Sequence, residues 1–157
     1  MDKNKTKKLA KAIATGFYTG YSPFAPGTLG TLIVGIPLFL LLAKVPVSIY
    51  GVVCIVLFGI GCKVSDFLEK DSGQDDPSEV VIDEIVGYLI STIGLSVSVA
   101  GVVVSFFAFR GFDIVKPWPI RDVEKQLQKG LGIMTDDVIA GLYANILTRL
   151  FLDLFFH

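Results

Sequence analysis

Acidic side chains gather where polar sequence meets the long apolar stretches of this chain. Asp83 and Glu84 precede one apolar run, Asp113 follows that run, and Asp136 with Asp137 precedes another. The dipole at a helix N-terminus stabilises a single acid, so each group alone could serve as a helix cap. Adjacent carboxylates repel each other, however, and a cap needs only one oxygen. Because a magnesium ion that bridges to phosphate requires hard oxygen ligands, we favour a metal site over caps alone.

Basic side chains close to these acids are candidates to bind phosphate. Lys116 lies three residues after Asp113 and directly before the sequence PWP, whose prolines stiffen the backbone. A rigid cation beside a metal-binding acid suits a phosphate oxygen. Arg110, three residues before Asp113, is the second candidate. The alternative for Lys116 is a side chain that extends to the lipid headgroups beside an interfacial tryptophan, and the two roles are compatible.

The stretch GYSPFAPGTLGTL, residues 20–32, precedes the first apolar helix. Its prolines and glycines prevent an earlier helix, and Thr28 is the predicted N-cap. A helix start of this kind offers free backbone N–H groups, which suit an anion such as phosphate. Thr28 is therefore a candidate phosphate ligand. The alternative, a loop that only begins a membrane helix, stays open.

Histidine and cysteine are scarce, which narrows the possible chemistry. His157 is the sole histidine and the last residue, while Cys54 and Cys62 are eight residues apart in or beside an apolar segment. This pattern excludes Ser-His-Asp and Cys-His catalysis and the usual zinc sites. With a net charge of -1, the chain also lacks the basic surface that nucleic acid binding needs. Catalysis would rest on carboxylates, lysines, hydroxyls and a metal.

Long uncharged stretches predict a multi-pass membrane protein. Residues 12–43, 45–62 and 85–109 contain no Asp, Glu, Lys or Arg, and the mean hydropathy is +0.65. A helix of about 20 apolar residues crosses about 30 Å of hydrocarbon. We therefore expect one all-α domain over residues 1–157, a compact bundle of membrane-embedded helices. Residues 1–19 are predicted to form a basic amphipathic helix on the membrane surface, with a solvated tail over 1–8 as the alternative.

The predicted elements follow the distribution of apolar and helix-breaking residues. Apolar helices are expected at 28–43, with a kink at Pro37, at 47–65 and at 138–157. The acidic loop over 63–84 is expected to become helical near Pro77. A helix at the membrane interface is expected within 110–137.

The apolar segment 85–109 raises a problem of topology. A single crossing would place Asp83 and Glu84 on the opposite side of the membrane from Asp113, and one metal site could not use both. We therefore predict that the segment turns back near Gly94 to Ser98, as two short helices or a re-entrant hairpin. The alternative is one straight span, which its length alone would favour.

Four motifs, in this order, resemble those of the phosphatidylglycerophosphatase A family: SPFAPGTLGTL, DPSEVVIDEIVG, FRGFDIVKPWPI and GIMTDDVIAG. The resemblance implies a magnesium-dependent phosphatase that converts phosphatidylglycerophosphate to phosphatidylglycerol in bacterial membranes. Because segments rich in lysine and arginine prefer the cytoplasmic side, we expect a multi-pass protein of the inner membrane whose active site faces the cytoplasm. By motif position, the acidic residues of the family fall on Asp76, Asp83, Glu84, Asp113, Asp136 and Asp137, and its lysine on Lys116. We expect all of these acids except Asp136 to bind the metal, and all except Asp76 to take part in catalysis with Lys116.

Two alternatives remain at this point. Water could attack phosphorus directly, or an aspartate could form a phosphoenzyme; we favour water because no DxDxT motif is present. A small cation carrier or channel subunit is the rival function. It would place acids in the middle of apolar segments, whereas here they lie at the segment ends.

Overall fold

The computed structural model describes residues 3–127 and 129–156, and these form helices joined by short connections. The helices are α1 Lys3–Ala14, α2 Pro26–Gly30, α3 Ile36–Leu42, α4 Val47–Ser72, α5 Ile82–Thr92, α6 Val99–Val115, α7 Ile120–Gln126 and α8 Lys129–Phe156. A π-helical turn, Thr31–Gly35, joins α2 to α3. Within the described residues no β-strand occurs, so the all-α prediction is confirmed.

The first apolar helical run begins two residues earlier than predicted. Ala25 has a left-handed conformation (φ 42°), and Pro26 occupies the first turn, where its missing N–H removes no helical hydrogen bond. Thr28 therefore lies inside the helix, and its predicted role as the N-cap is wrong. The π-helical turn comes directly before the turn that contains Pro37, which cannot donate to the carbonyl one turn back. The distortion predicted as a kink at Pro37 is thus found as a π-helical turn in the residues before it.

The segment 85–109 is broken where the sequence predicted a turn. Helix α5 ends at Thr92 and α6 begins at Val99, with Gly94 at φ 70° between them. The Ser98 hydroxyl accepts a hydrogen bond from the Gly101 N–H (2.9 Å) and caps α6. Arg149 of α8 donates to the carbonyl of Ile93 (2.7 Å) at the other end of the turn. Helix α6 then returns along α5, which brings its C-terminal end back to the beginning of α5.

Helix α8 organises the bundle, because α4, α5, α6 and α7 all pack against it. It approaches α5 closely at two glycines. A Cβ atom at Gly141 would overlap the carbonyl oxygen of Gly87, and one at Gly87 would lie 2.7 Å from the carbonyl oxygen of Asp137. Only residues without a side chain allow the two backbones to come this close. The crossing therefore fixes α5 and α8 relative to each other one turn away from Asp83 and Asp137.

Three predicted helix boundaries on the polar side of the bundle are wrong: α4 and α8 are longer than predicted, and α5 begins later. Helix α4 continues to Ser72 rather than ending near residue 65, so half of the expected acidic loop is helical. Helix α5 starts at Ile82, and Pro77 lies in the loop before it. Helix α8 starts at Lys129, so Asp136 lies seven residues inside it. The N-terminal dipole therefore does not explain the acidic pair at Asp136 and Asp137.

Two helices are long and apolar enough to cross a membrane, Val47–Ser72 and Lys129–Phe155, and Pro26–Leu42 is a shorter apolar run. Only 17% of the apolar window of α4 and 22% of that of α8 is buried in the protein, unlike the core helix of a soluble domain. On α4, the exposed side chains include Ile55, and on α8 they include Leu150 and Leu154. Such extended apolar surfaces indicate contact with lipid.

The basic N-terminal helix is shorter than predicted, since α1 ends at Ala14 and Phe17 lies beyond it. Lys11 pairs with Asp71 of α4 (2.9 Å), and Lys7 contacts the same carboxylate. The carbonyl of Ala14 accepts a hydrogen bond from the N–H of Val81 (2.9 Å). These contacts place α1 against α4 and against the loop that leads into α5.

Candidate active site

The predicted site residues converge on a cleft of about 320 Å³ at one end of the bundle, where α5 begins and α6 ends. Three residues of the first half of α8 also line this cleft: Ile133, Asp136 and Asp137. All of the predicted acidic and basic site residues line it: Asp76, Asp83, Glu84, Arg110, Asp113, Lys116, Asp136 and Asp137. Thr28 does not line it. The fold therefore joins three sequence motifs that the polypeptide separates by up to 61 positions, from Asp76 to Asp137.

Three carboxylates form the centre of the cleft. One oxygen from each of Asp83, Glu84 and Asp137 lies within 4.8 Å of the others. Asp83 Oδ1, Glu84 Oε2 and Asp137 Oδ1 are buried and accept no hydrogen bond from the part of the chain that the structure describes. Buried carboxylate oxygens are costly unless a proton, a donor or a cation compensates them. The arrangement and the hard oxygen donors fit a divalent cation such as Mg²⁺.

The helix crossing explains why these carboxylates meet. Asp83 lies four residues before Gly87 on α5, and Asp137 lies four residues before Gly141 on α8. Residues four apart on a helix share a face. Because the two glycines face each other at the crossing, the two aspartates face each other one turn further along. In the sequence, the signal for this contact is an aspartate four residues before a glycine, which occurs in both DEIVG and DVIAG.

Burial and like charge disfavour the ionised form of the acids on α5. Burial, together with the carboxylates of Glu84 and Asp137, raises the pKa of Asp83 well above its usual range. Burial also raises the pKa of Glu84, although the nearby Arg110 guanidinium opposes this effect. Without a bound cation, the cluster therefore tends to retain protons. A divalent cation would compete with those protons for the same oxygens.

Arg110 lies between two of the acids. Its Nη1 is 2.7 Å from Asp113 Oδ2 and 3.7 Å from Glu84 Oε1. Asp113 also interacts with Asp137, so it extends the cluster toward α6. Nε and Nη1 of Arg110 are buried and have no aligned hydrogen-bond acceptor among the described residues. The guanidinium is thus held by charge while it keeps donors that an anion in the cleft could use.

Lys116 and Asp136 form the second ion pair of the cleft. Lys116 caps the C-terminal end of α6 with a left-handed backbone (φ 46°), and its Nζ donates to Asp136 Oδ2 (2.6 Å). Asp136 is buried, and its Oδ1 accepts a hydrogen bond from the Asp137 N–H (3.0 Å). Asp136 therefore holds Lys116 over the cleft instead of joining the three central carboxylates.

The loop before α2 contributes backbone rather than the predicted hydroxyl group. Ala25, Pro26 and Gly27 line the cleft. A Cβ atom at Gly27 would overlap Glu84 Oε1 and would lie 3.2 Å from Arg110 Nη1. Sequence reasoning missed Gly27, although it lies next to Thr28. Asp76, exposed at the other edge of the cleft, lies outside the cluster of three.

Comparison with known proteins agrees with this geometry. Residues 12–152 match the family model described as phosphatidylglycerophosphatase A, and the matched range contains every residue of the cleft. The chain belongs to the phosphatidylglycerophosphatase A family. This match confirms the family resemblance of the four sequence motifs.

Three relatives show how far the similarity to this family extends. The chain is 37% identical over 131 residues to phosphatidylglycerophosphatase A of Escherichia coli (strain K12), with 83% of this chain and 76% of that protein covered. It is 38% identical to phosphatidylglycerophosphatase A of Haemophilus influenzae, covering 85% and 83%. It is 42% identical to a protein of Bacteroides thetaiotaomicron with the provisional name phosphatidylinositol-3-phosphatase, covering 86% and 88%. No solved structure matches the chain.

Proposed function

We propose that this protein is a magnesium-dependent lipid phosphatase that hydrolyses phosphatidylglycerophosphate to phosphatidylglycerol and inorganic phosphate. The observation that carries the proposal is the meeting of Asp83, Glu84 and Asp137, whose ligand oxygens lie within 4.8 Å of one another and include buried atoms without a donor among the described residues. Membership of the phosphatidylglycerophosphatase A family supports the reaction and the lipid substrate. The magnesium ion is supported by the chemistry of the three carboxylates.

The residues of the cleft divide the work of phosphate hydrolysis. Asp83, Glu84 and Asp137 would hold Mg²⁺, which when bound neutralises charge on the phosphate and polarises it for attack. Arg110 and Lys116 lie on the α6 side, where they can bind the remaining phosphate oxygens and stabilise the transition state. Asp113, which pairs with Arg110, would accept a proton from the attacking water. Gly27 leaves the space in which Glu84 and Arg110 sit side by side.

The proposed location is the bacterial inner membrane, with several crossings and the cleft at the cytoplasmic face. The apolar helices α4 and α8 support spanning segments. Helix α5 has only 11 residues and cannot span alone, so α5 and α6 would form a hairpin that enters the membrane from one side. The beginning of α5, the end of α6 and the lysine-rich α1 then share one face, and positive charge favours the cytoplasmic side.

The rival function, a cation carrier, gains no support from the location of the acids. A carrier needs charged groups along a path through the apolar part of the bundle. In this protein the acids of the site lie with Arg110 and Lys116 in one cleft at one end of the bundle. A cleft that combines carboxylates with Arg110 and Lys116 suits an anion bound together with a metal.

The experiment is phosphate release by the purified protein from phosphatidylglycerophosphate, with the lipid product identified by mass spectrometry. We expect phosphatidylglycerol to appear with magnesium present and Asp137→Ala to lower the rate about 100-fold or more. Phosphatidylinositol 3-phosphate should be tested in parallel, because one relative bears the corresponding name. Equal or faster turnover of the phosphoinositide would contradict the proposed substrate, and no release from either lipid would refute the proposed reaction.

A further inference from the structure

Two stretches of chain that lead into or out of the cleft lining carry exposed apolar side chains. One comes before Ala25 and the other follows Asp113, and both of these residues line the cleft. We call these exposed side chains the apolar rim: Phe17, Tyr18, Phe24, Ile114, Val115 and Trp118. Phe24 is 81% exposed and Trp118 is 79% exposed. Large side chains of this kind are normally at least half covered in a water-soluble protein.

The backbone under the rim is held in place by hydrogen bonds. The Ser22 hydroxyl accepts from the Phe24 N–H (3.2 Å) and donates to the Phe24 carbonyl (3.0 Å). On the other side, Arg121 donates to the carbonyl of Val115 (2.9 Å), and the Tyr143 hydroxyl donates to that of Trp118 (3.3 Å). The structure thus fixes apolar side chains in exposed positions. Such a patch marks an interaction surface.

We propose that the apolar rim inserts into the headgroup and outer acyl region of the bilayer that contains the substrate. The inference rests on the proposed function, since a cleft that acts on a lipid phosphate must lie at the depth of that phosphate. Tyr and Trp are enriched at this depth, and Phe is common on the apolar face of interfacial segments. Arg121 is exposed beside Trp118 and offers a cation to anionic headgroups. The lipid phosphate then reaches the carboxylates while its acyl chains stay in the membrane.

The first experiment uses Trp118, which is the sole tryptophan of the chain. The full chain is reconstituted in nanodiscs of phosphatidylcholine and phosphatidylglycerol, in which both membrane faces are accessible. We expect lipids brominated near the headgroup to quench Trp118 fluorescence and iodide to quench it several-fold less than in the denatured chain. Quenching by iodide as complete as in the denatured chain, without quenching by brominated lipid, would overturn the inference.

The second experiment compares two substrates with the same reactive group. Long-chain phosphatidylglycerophosphate is placed in the nanodisc, and a short-chain analogue is supplied in water below its micellar concentration. We expect Phe24→Ser and Trp118→Ser each to lower the ratio of the long-chain to the short-chain rate about tenfold, the effect of one buried apolar side chain. The Ser22 contacts use only the backbone of Phe24 and survive its substitution.

Val99→Ser provides the matched control for the rim substitutions. Val99 is 83% exposed and lies at the opposite end of α6 from Val115, so its substitution should leave the ratio unchanged. Equal ratios in the unmodified protein and in both rim variants would overturn the inference. If the unmodified protein hydrolyses neither substrate, the proposed function fails instead, and Trp118 quenching still decides whether the rim contacts the bilayer.

Discussion

Replacing Asp83 with asparagine should abolish activity and yet stabilise the metal-free protein. Burial and the carboxylates of Glu84 and Asp137 raise the pKa of Asp83. A raised carboxyl pKa means that folding is most favoured when the acid is neutral, and this stability is lost as pH rises from about 4 through the folded-state value. At neutral pH the metal-free cluster is therefore under strain from like charge. Asparagine keeps the shape of the side chain and removes the charge.

The size of the effect follows from the distances in the cluster. Two charges 4.8 Å apart repel by about 3.5 kcal/mol at an effective dielectric constant of about 20. Asp83 has two such neighbours, but proton uptake relieves part of the repulsion. We therefore expect Asp83→Asn to raise the free energy of unfolding without metal by about 1–3 kcal/mol, or the melting temperature by about 2–4 °C per kcal/mol.

The assay is thermal unfolding of the purified protein in chelator and in Mg²⁺, with phosphate release measured on the same samples. Mg²⁺ should raise the melting temperature of the unmodified protein more than that of Asp83→Asn. Asp75→Asn is the control, because Asp75 is exposed on the loop between α4 and α5. A metal-free Asp83→Asn protein that melts below the unmodified one, or that keeps its activity, would refute the reasoning.

Three further outcomes are expected. Gly27→Ala should lower the rate at least tenfold, with little change in melting temperature, because the added Cβ displaces Glu84 and Arg110; a normal rate would contradict the packing seen at Gly27. The rate should fall as pH is lowered, because protons compete with metal for the buried acids, and a higher Mg²⁺ concentration should shift the midpoint of this fall to lower pH. A midpoint that does not depend on the Mg²⁺ concentration would count against metal binding at these acids. Single cysteines at positions 75 and 122, in a chain without the native cysteines, should label from the same side of the membrane, and labelling from opposite sides would exclude the hairpin.

The sequence predicted which residues line the cleft more accurately than it predicted the limits of the helices. The acid motifs and the break near Gly94 follow from local chemistry, and the topological argument used that chemistry to place the turn. Helix limits at α4 and α8 were missed because the charges after Cys62 and the glycines at 130 and 132 look like loop signals. In the fold, a Cβ at Gly130 would overlap the Cys62 carbonyl oxygen, so that glycine serves close helix packing instead of a turn.

The predictions for Thr28 and Asp136 failed to anticipate how the helices pack against one another. Thr28 was chosen as a helix cap from its neighbours in sequence, yet the left-handed Ala25 and Pro26 start the helix earlier, and Gly27 faces the cleft. Asp136 resembles Asp137 in sequence, but a helical step of about 100° turns it toward Lys116. Periodicity alone does not say which helix face meets which partner. The crossing at Gly87 and Gly141 supplies that information.

Phosphate release from phosphatidylglycerophosphate as a function of free Mg²⁺ tests the central claim most directly. The protein is first stripped with chelator, and the absence of bound metal is checked by elemental analysis. We predict no measurable release without metal and recovery of the full rate when Mg²⁺ is added, because the carboxylates of Asp83, Glu84 and Asp137 need a cation before phosphate can bind beside them. Full turnover by the metal-free protein would contradict the account.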